Sequence, residues 1–136
     1  MKLAIELAFN GNCAEALALY LKAFGAKTES FLLYKDAPSA DGAQHPEGTE
    51  NFIMHARFML GNDAIGLHDR TPDKKCSYGD GVAVHIGLDS ADAVKAAFDV
   101  LKGGGEVGQE PGEVFFSQCF CEVKDKFGIS WILSYN

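Results

Sequence analysis

Two short runs of this 136-residue chain set one ionisable side chain among small neighbours. In Ala4, Glu6, Ala8 the group is a carboxylate, and in Ala83, His85, Gly87 it is an imidazole. Each run is one face of a segment whose other face is bulky: Leu3, Ile5, Leu7, Phe9 in the first, Val82, Val84, Ile86, Leu88 in the second. Alternation of this kind belongs to a strand with two different faces. Small residues around one hydrogen-bonding group leave room for a ligand. His55 and Arg57 share parity in a third such segment and are candidates to line the same pocket, with a plain structural role for His55 equally open. Should Glu6 be buried, Arg57 is its candidate partner. Trp131 and the pair Phe115 and Phe116 could stack on a ligand, although aromatics at such spacing more commonly fill a core.

Other chemistries find little support. Cys13, Cys76, Cys119 and Cys121 have neither C-x-x-C nor zinc-ribbon spacing and read as thiols, with Cys119 and Cys121 on one face of a strand. Gly103 to Gly105 follow a helical pattern instead of opening one, so they end a helix and do not cradle a phosphate. There is no Gly-x-Ser-x-Gly elbow and no G-x-G-x-x-G after a strand. A net charge of −7 with twelve scattered Lys and Arg argues against nucleic acid and against an anionic membrane surface. No apolar stretch reaches the roughly 18 residues of a membrane span, and the acidic start is unlike a secretory signal, which points to the cytoplasm.

The elements that position these groups come in two rounds. After the first strand, over residues 2 to 9, Cys13, Leu17, Tyr20, Leu21 and Phe24 recur at helical spacing, with Asn12 and Glu15 as a capping pair and Gly25 as the stop. Strands are expected at 28–34, 51–60 and 64–69, with an exposed loop over 36–50. The second round starts at Val82 and continues with a helix capped by Asp89 or Ser90, whose stripe is Val94, Ala97, Phe98 and Leu101. A short strand near 106–107, a longer one over 114–123, a turn at 125–128 and a strand over 129–135 complete it. The order is strand, helix, three strands, twice. That predicts an α+β fold in one domain, with module one at 1–70, a linker at 71–80 and module two at 81–136. The helices should lie outside two curved mixed sheets whose other faces meet across a cavity. Aligning Ile65 with Ile129 sets His68 against Ile132, and the loop over 36–50 accounts for the difference in spacing.

The run Phe9 to Ala16 leading into Tyr20, then Met54-His55-Ala56, Gly66-Leu67-His68-Asp69 and Asp125 to Trp131, resembles the PhnB-like branch of the glyoxalase, bleomycin-resistance and extradiol dioxygenase (vicinal oxygen chelate) superfamily. The resemblance spans nearly the whole chain. It implies a fold of tandem β-α-β-β-β modules and a metal position on the first and last strand of each, which here are Glu6, His68, His85 and Ile132. Three of the four can hold a divalent ion such as Fe, Zn, Mn or Ni. The missing fourth favours a protein that binds a small molecule without an intact metal site. The alternative is a metal-dependent lyase, isomerase or dioxygenase using Glu6, His68 and His85. The resemblance also implies a homodimer.

Overall fold

The computed structural model describes residues 1–38 and 45–136. The described chain divides into two compact units, Met1–Leu21 with Gly25–Cys76, and Lys22–Phe24 with Ser77–Asn136. The part of the expected 36–50 loop that falls on residues 39–44 lies outside the described residues.

In the first unit β1 (Ile5–Phe9) leads into helix α1 (Cys13–Phe24), followed by β2 (Lys27–Leu33), a 3-10 turn at Tyr34–Asp36, β3 (Ile53–Leu60) and β4 (Asp63–Asp69). The sheet order is β1-β4-β3-β2, with β1 parallel to β4 and the other pairs antiparallel. Leu7, Phe9, Ile53, Phe58, Ile65 and Leu67 of these strands are buried, as are Cys13, Ala16, Leu17 and Tyr20 of α1. The rings of Phe9 and Phe58 both approach Tyr20, with centroids 6.4 and 6.1 Å away. Burying such large apolar side chains is the main favourable term in folding, on the order of 2 kcal/mol each. The opposite face of the sheet carries Glu6, Ala8, His55, Arg57, Ala64, Gly66 and His68, with Leu32 and Met59 toward its outer strands.

The second unit repeats the plan with β5 (Val84–Gly87), α2 (Ala91–Leu101), β6 (Glu106–Val114), β7 (Ser117–Lys124) and β8 (Ser130–Tyr135), in the order β5-β8-β7-β6. Its core joins Val94, Ala97, Phe98 and Leu101 of α2 to Val84, Cys119, Cys121, Val123, Trp131 and Leu133. The two-module α+β plan expected from the sequence is therefore the one the chain adopts.

Two local expectations need correction. Asn12 makes no capping bond to α1; its Oδ1 accepts from the Asn10 N–H, and the Cys13 N–H is taken by Asp69 Oδ1 at 3.0 Å. Val114 to Phe116 do not begin a long strand, because β6 runs to Val114 and Phe115 and Phe116 form its turn into β7. Of the two caps offered for α2, Ser90 is the one used: its hydroxyl accepts from Ala93 N–H at 3.0 Å. Gly25 ends α1 in the left-handed conformation, φ 60°, as a helix stop requires.

Candidate functional site

Register places the polar residues of the first sheet. Glu6 lies opposite Gly66 and Ala8 opposite His68 in the parallel pair, Arg57 lies opposite Gly66 on the other side of β4, and Ser30 lies opposite Arg57. Residues paired across neighbouring strands project to the same face. Glu6, Gly66, Arg57 and Ser30 thus form one row on the face away from α1. His68, two residues beyond Gly66, and His55, two residues before Arg57, stand on the same face. Of the residues expected to do chemistry, Glu6, His55, Arg57 and His68 are brought onto one surface.

Within it, His68 Nδ1 and Glu6 Oε1 are 2.7 Å apart. A carboxylate only accepts, so Nδ1 carries the hydrogen and a neutral ring keeps its lone pair on Nε2. The side chains are 31% and 48% exposed, which leaves the pair within reach of a solute. The carboxylate reaches the imidazole by lying over Gly66: a Cβ there would collide with Glu6 Oε2 and sit 3.0 Å from Cδ. Arg57 does not pair with Glu6. Its Nε lies 3.3 Å from Glu29 Oε2 in an ion pair, helped by a bulge where Glu29 and Ser30 together face Arg57.

The second sheet carries a different set in the same register. His85 lies opposite Ile132, Ile132 opposite Glu122 and Glu122 opposite Gln109, while Gly87 lies opposite Ser134. Ile132 thus holds the place of Gly66, and the counterpart of His68 is Ser134. Pairing His68 with Ile132, as the sequence alignment did, is off by two residues. The chemistry follows the register: His85 Nε2 and Ser134 Oγ are 2.8 Å apart, a second imidazole bonded to its neighbour on the adjacent parallel strand.

The aromatic candidates are placed differently from each other. Trp131 is 1% exposed, its indole N–H donates to Asp125 Oδ2 at 2.9 Å and its ring lies 5.3 Å from Phe24. Phe116 is 55% exposed in the β6 to β7 turn, edge-on to Phe115 and Phe120. No disulfide joins the four cysteines. Burial, followed by the charges of Asp69 and Glu6, pushes the Cys13 thiol far above its usual range. Burial, followed by Cys119, pushes Cys121 up to about 11. Thiols held protonated in this way are poor nucleophiles.

Two buried carboxylates escaped notice in the sequence. Asp69, 2% exposed, accepts from the backbone N–H of Gly11 at 2.8 Å, Cys13 at 3.0 Å and Ile53 at 2.9 Å. Asp125, also 2% exposed, accepts from Phe127, Ile129 and the Trp131 indole. Each accepts from at least three N–H donors, as a buried carboxylate needs. Both are structural anchors, and Asp69 fixes the end of β4 beside His68.

Among the described residues no three His, Cys, Asp or Glu side chains gather as a metal-holding group. Glu6 and His68 turn their donor atoms toward each other, and His85 turns Nε2 to Ser134. As placed, these side chains do not fit a shared divalent ion.

Paired β-α-β-β-β units of this kind define the glyoxalase and bleomycin-resistance class of α+β folds. A glyoxalase/bleomycin resistance protein/dioxygenase family enzyme from Burkholderia phytofirmans shares the fold at TM-score 0.62 and 12% identity, over 97% of this chain and 95% of that one. Within the class, residues 1–134 match the family described as 3-demethylubiquinone-9 3-methyltransferase, and the chain belongs to that family. Similar proteins include YjdN of Escherichia coli, 29% identical over 98% of this chain and 95% of that protein. The structure of PA1353 from Pseudomonas aeruginosa superposes at TM-score 0.87 with 29% identity, covering 100% of this chain and 98% of the other. A Bacillus cereus PhnB protein, titled a putative 3-demethylubiquinone-9 3-methyltransferase, covers 100% of both chains at TM-score 0.81 and 22% identity.

Proposed function

We propose that this chain is a small-molecule-binding protein, and that the ligand sits on the helix-free face of the first sheet against Glu6, His55, Arg57 and His68. One observation carries the reading: four polar side chains share one face of the sheet, and two of them, Glu6 and His68, are already held in one arrangement by a 2.7 Å bond. Groups ordered before binding lower its entropic cost. Phe116, exposed in its turn, is a further candidate contact, whereas the buried Trp131 acts from the core. Methyl transfer, which the family's description names, draws no support from these residues, since no glycine-rich strand-to-helix turn is present to hold a nucleotide-type donor.

Four thiols without a disulfide fit a reducing compartment, in keeping with a cytoplasmic protein. No described helix is long and apolar enough to cross a membrane. We place the protein in a homodimer, a reading supported by apolar side chains exposed on the edge strands β2 and β6, Phe31 at 51% and Val107 at 44%. Light scattering on the purified chain returns twice the chain mass if this holds, and one chain mass if it does not.

The binding test is a titration of isotope-labelled protein with catechol and with glycolate, followed by amide shifts. Perturbations should centre on residues 6, 55, 57, 66 and 68, and Arg57→Ala should weaken binding about tenfold. Saturable shifts confined to other regions, or none with either probe, would sink the proposal. The rival reading, a metal-dependent lyase, isomerase or dioxygenase, requires a stoichiometric divalent ion by elemental analysis and the loss of both metal and turnover in His85→Ala; metal retained by that variant ends it.

A further inference from the structure

We infer that Gly66 is a positioning residue that sets the tautomer of His68. The side chain absent from Gly66 is what allows the Glu6 carboxylate to cross β4 and receive the hydrogen of Nδ1, so that His68 presents Nε2 as an acceptor. The ligand class follows. A site with a neutral imidazole acceptor and a guanidinium on the same face suits a compact anion that also bears a hydroxyl or other acidic N–H or O–H donor. This assignment rests on the binding face described above, but its test needs no ligand.

The neighbouring geometry makes the inference specific. The atoms a Cβ at position 66 would meet all belong to the Glu6 carboxyl group, the far end of a flexible and half-exposed side chain. Gly66→Ala therefore displaces the carboxylate and leaves the strand in place. By contrast, Gly105 is crowded by the backbone carbonyl of Lys124, where nothing can swing aside. The second sheet supplies the natural counter-case, since Ile132 fills the equivalent place and His85 uses Nε2, not Nδ1, to reach its partner Ser134.

The experiment is a long-range proton–nitrogen spectrum of the histidine rings at about pH 8.5, where an unperturbed imidazole is neutral, with His68 assigned through His68→Gln. In the unmodified protein His68 should show a protonated Nδ1 and a bare Nε2. Gly66→Ala should move it to the Nε2–H form that free imidazole side chains favour, and His85 should not change. Glu6→Ala, which adds no bulk to the strand, should produce the same switch. An Nε2–H ring in the unmodified protein, or an Nδ1–H ring that survives both variants, would overturn the inference. Should the tautomer behave as stated while neither catechol nor glycolate binds, the positioning role stands and the binding reading falls.

Discussion

The parallel strand pairs β1·β4 and β5·β8 are built on the same register yet carry different chemistry. In the first, Gly66 leaves a shelf over which Glu6 reaches His68; in the second, Ile132 fills the shelf and His85 reaches Ser134 instead. The scaffold fixes where two side chains on adjacent strands can meet. The residue on the opening strand, Glu6 or His85, sets which group makes the reach, and the residue it crosses is Gly66 or Ile132. The two units thus share one register, while only the first carries a carboxylate–imidazole pair.

The largest effect separating the units should come from their buried carboxylates. Asp69 joins the α1 entry, β3 and β4, segments up to 58 positions apart, whereas Asp125 accepts from Phe127, Ile129 and Trp131, two to six positions away. Asp69→Ala should cost about 4 kcal/mol, and Asp125→Ala, which releases two N–H groups of its own turn and the Trp131 indole, about 2 kcal/mol. Urea unfolding measures both, and equal losses would break this part of the comparison. Next, Gly105→Ala should cost about 2 kcal/mol because backbone must move, against less than about 0.5 kcal/mol for Gly66→Ala. The helix caps come third: Ser90→Ala should cost about 1 kcal/mol, and Asn12→Ala only a few tenths, since Asn12 makes no capping bond.

A last expected effect is alkaline. Cys121 has its folded value raised to about 11 by burial and then by Cys119, above the roughly 8.5 of an unfolded thiol. The raised value means the folded state keeps its proton longer, so the contribution is intact below the unfolded value and is lost as pH climbs toward the folded one. The urea midpoint should decline between about pH 8.5 and 11, and less steeply in Cys121→Ala. A midpoint that rises over that window would contradict the assignment.

How much of this was readable in advance depended on the range of the interaction. Alternation of Leu7 and Phe9 with Glu6 and Ala8 announced both the strand and its open face, and the stripe Val94, Ala97, Phe98, Leu101 announced α2. Ser90 was readable because its bond closes three residues away. The true anchor of α1 was not, because Asp69 lies 56 positions from Cys13 and no local pattern connects them. Phe115 and Phe116 read as strand because they are apolar, yet they turn a hairpin, with Phe115 99% exposed. Gly66 carried a signal that passed unused: a lone glycine inside a strand marks a bulge or a close approach. Ser134 was missed because the alignment matched isoleucines, when hydrogen-bond register sets Ile65 against Trp131 in the repeat.

A crystal structure of the protein as purified, near neutral pH and without chelator, tests the central claim most directly. The account predicts Glu6 and His68 bonded to each other at about 2.7 Å over Gly66, with His85 on Ser134. Glu6, His68 and His85 all turned onto one metal ion, with both bonds broken, would contradict it.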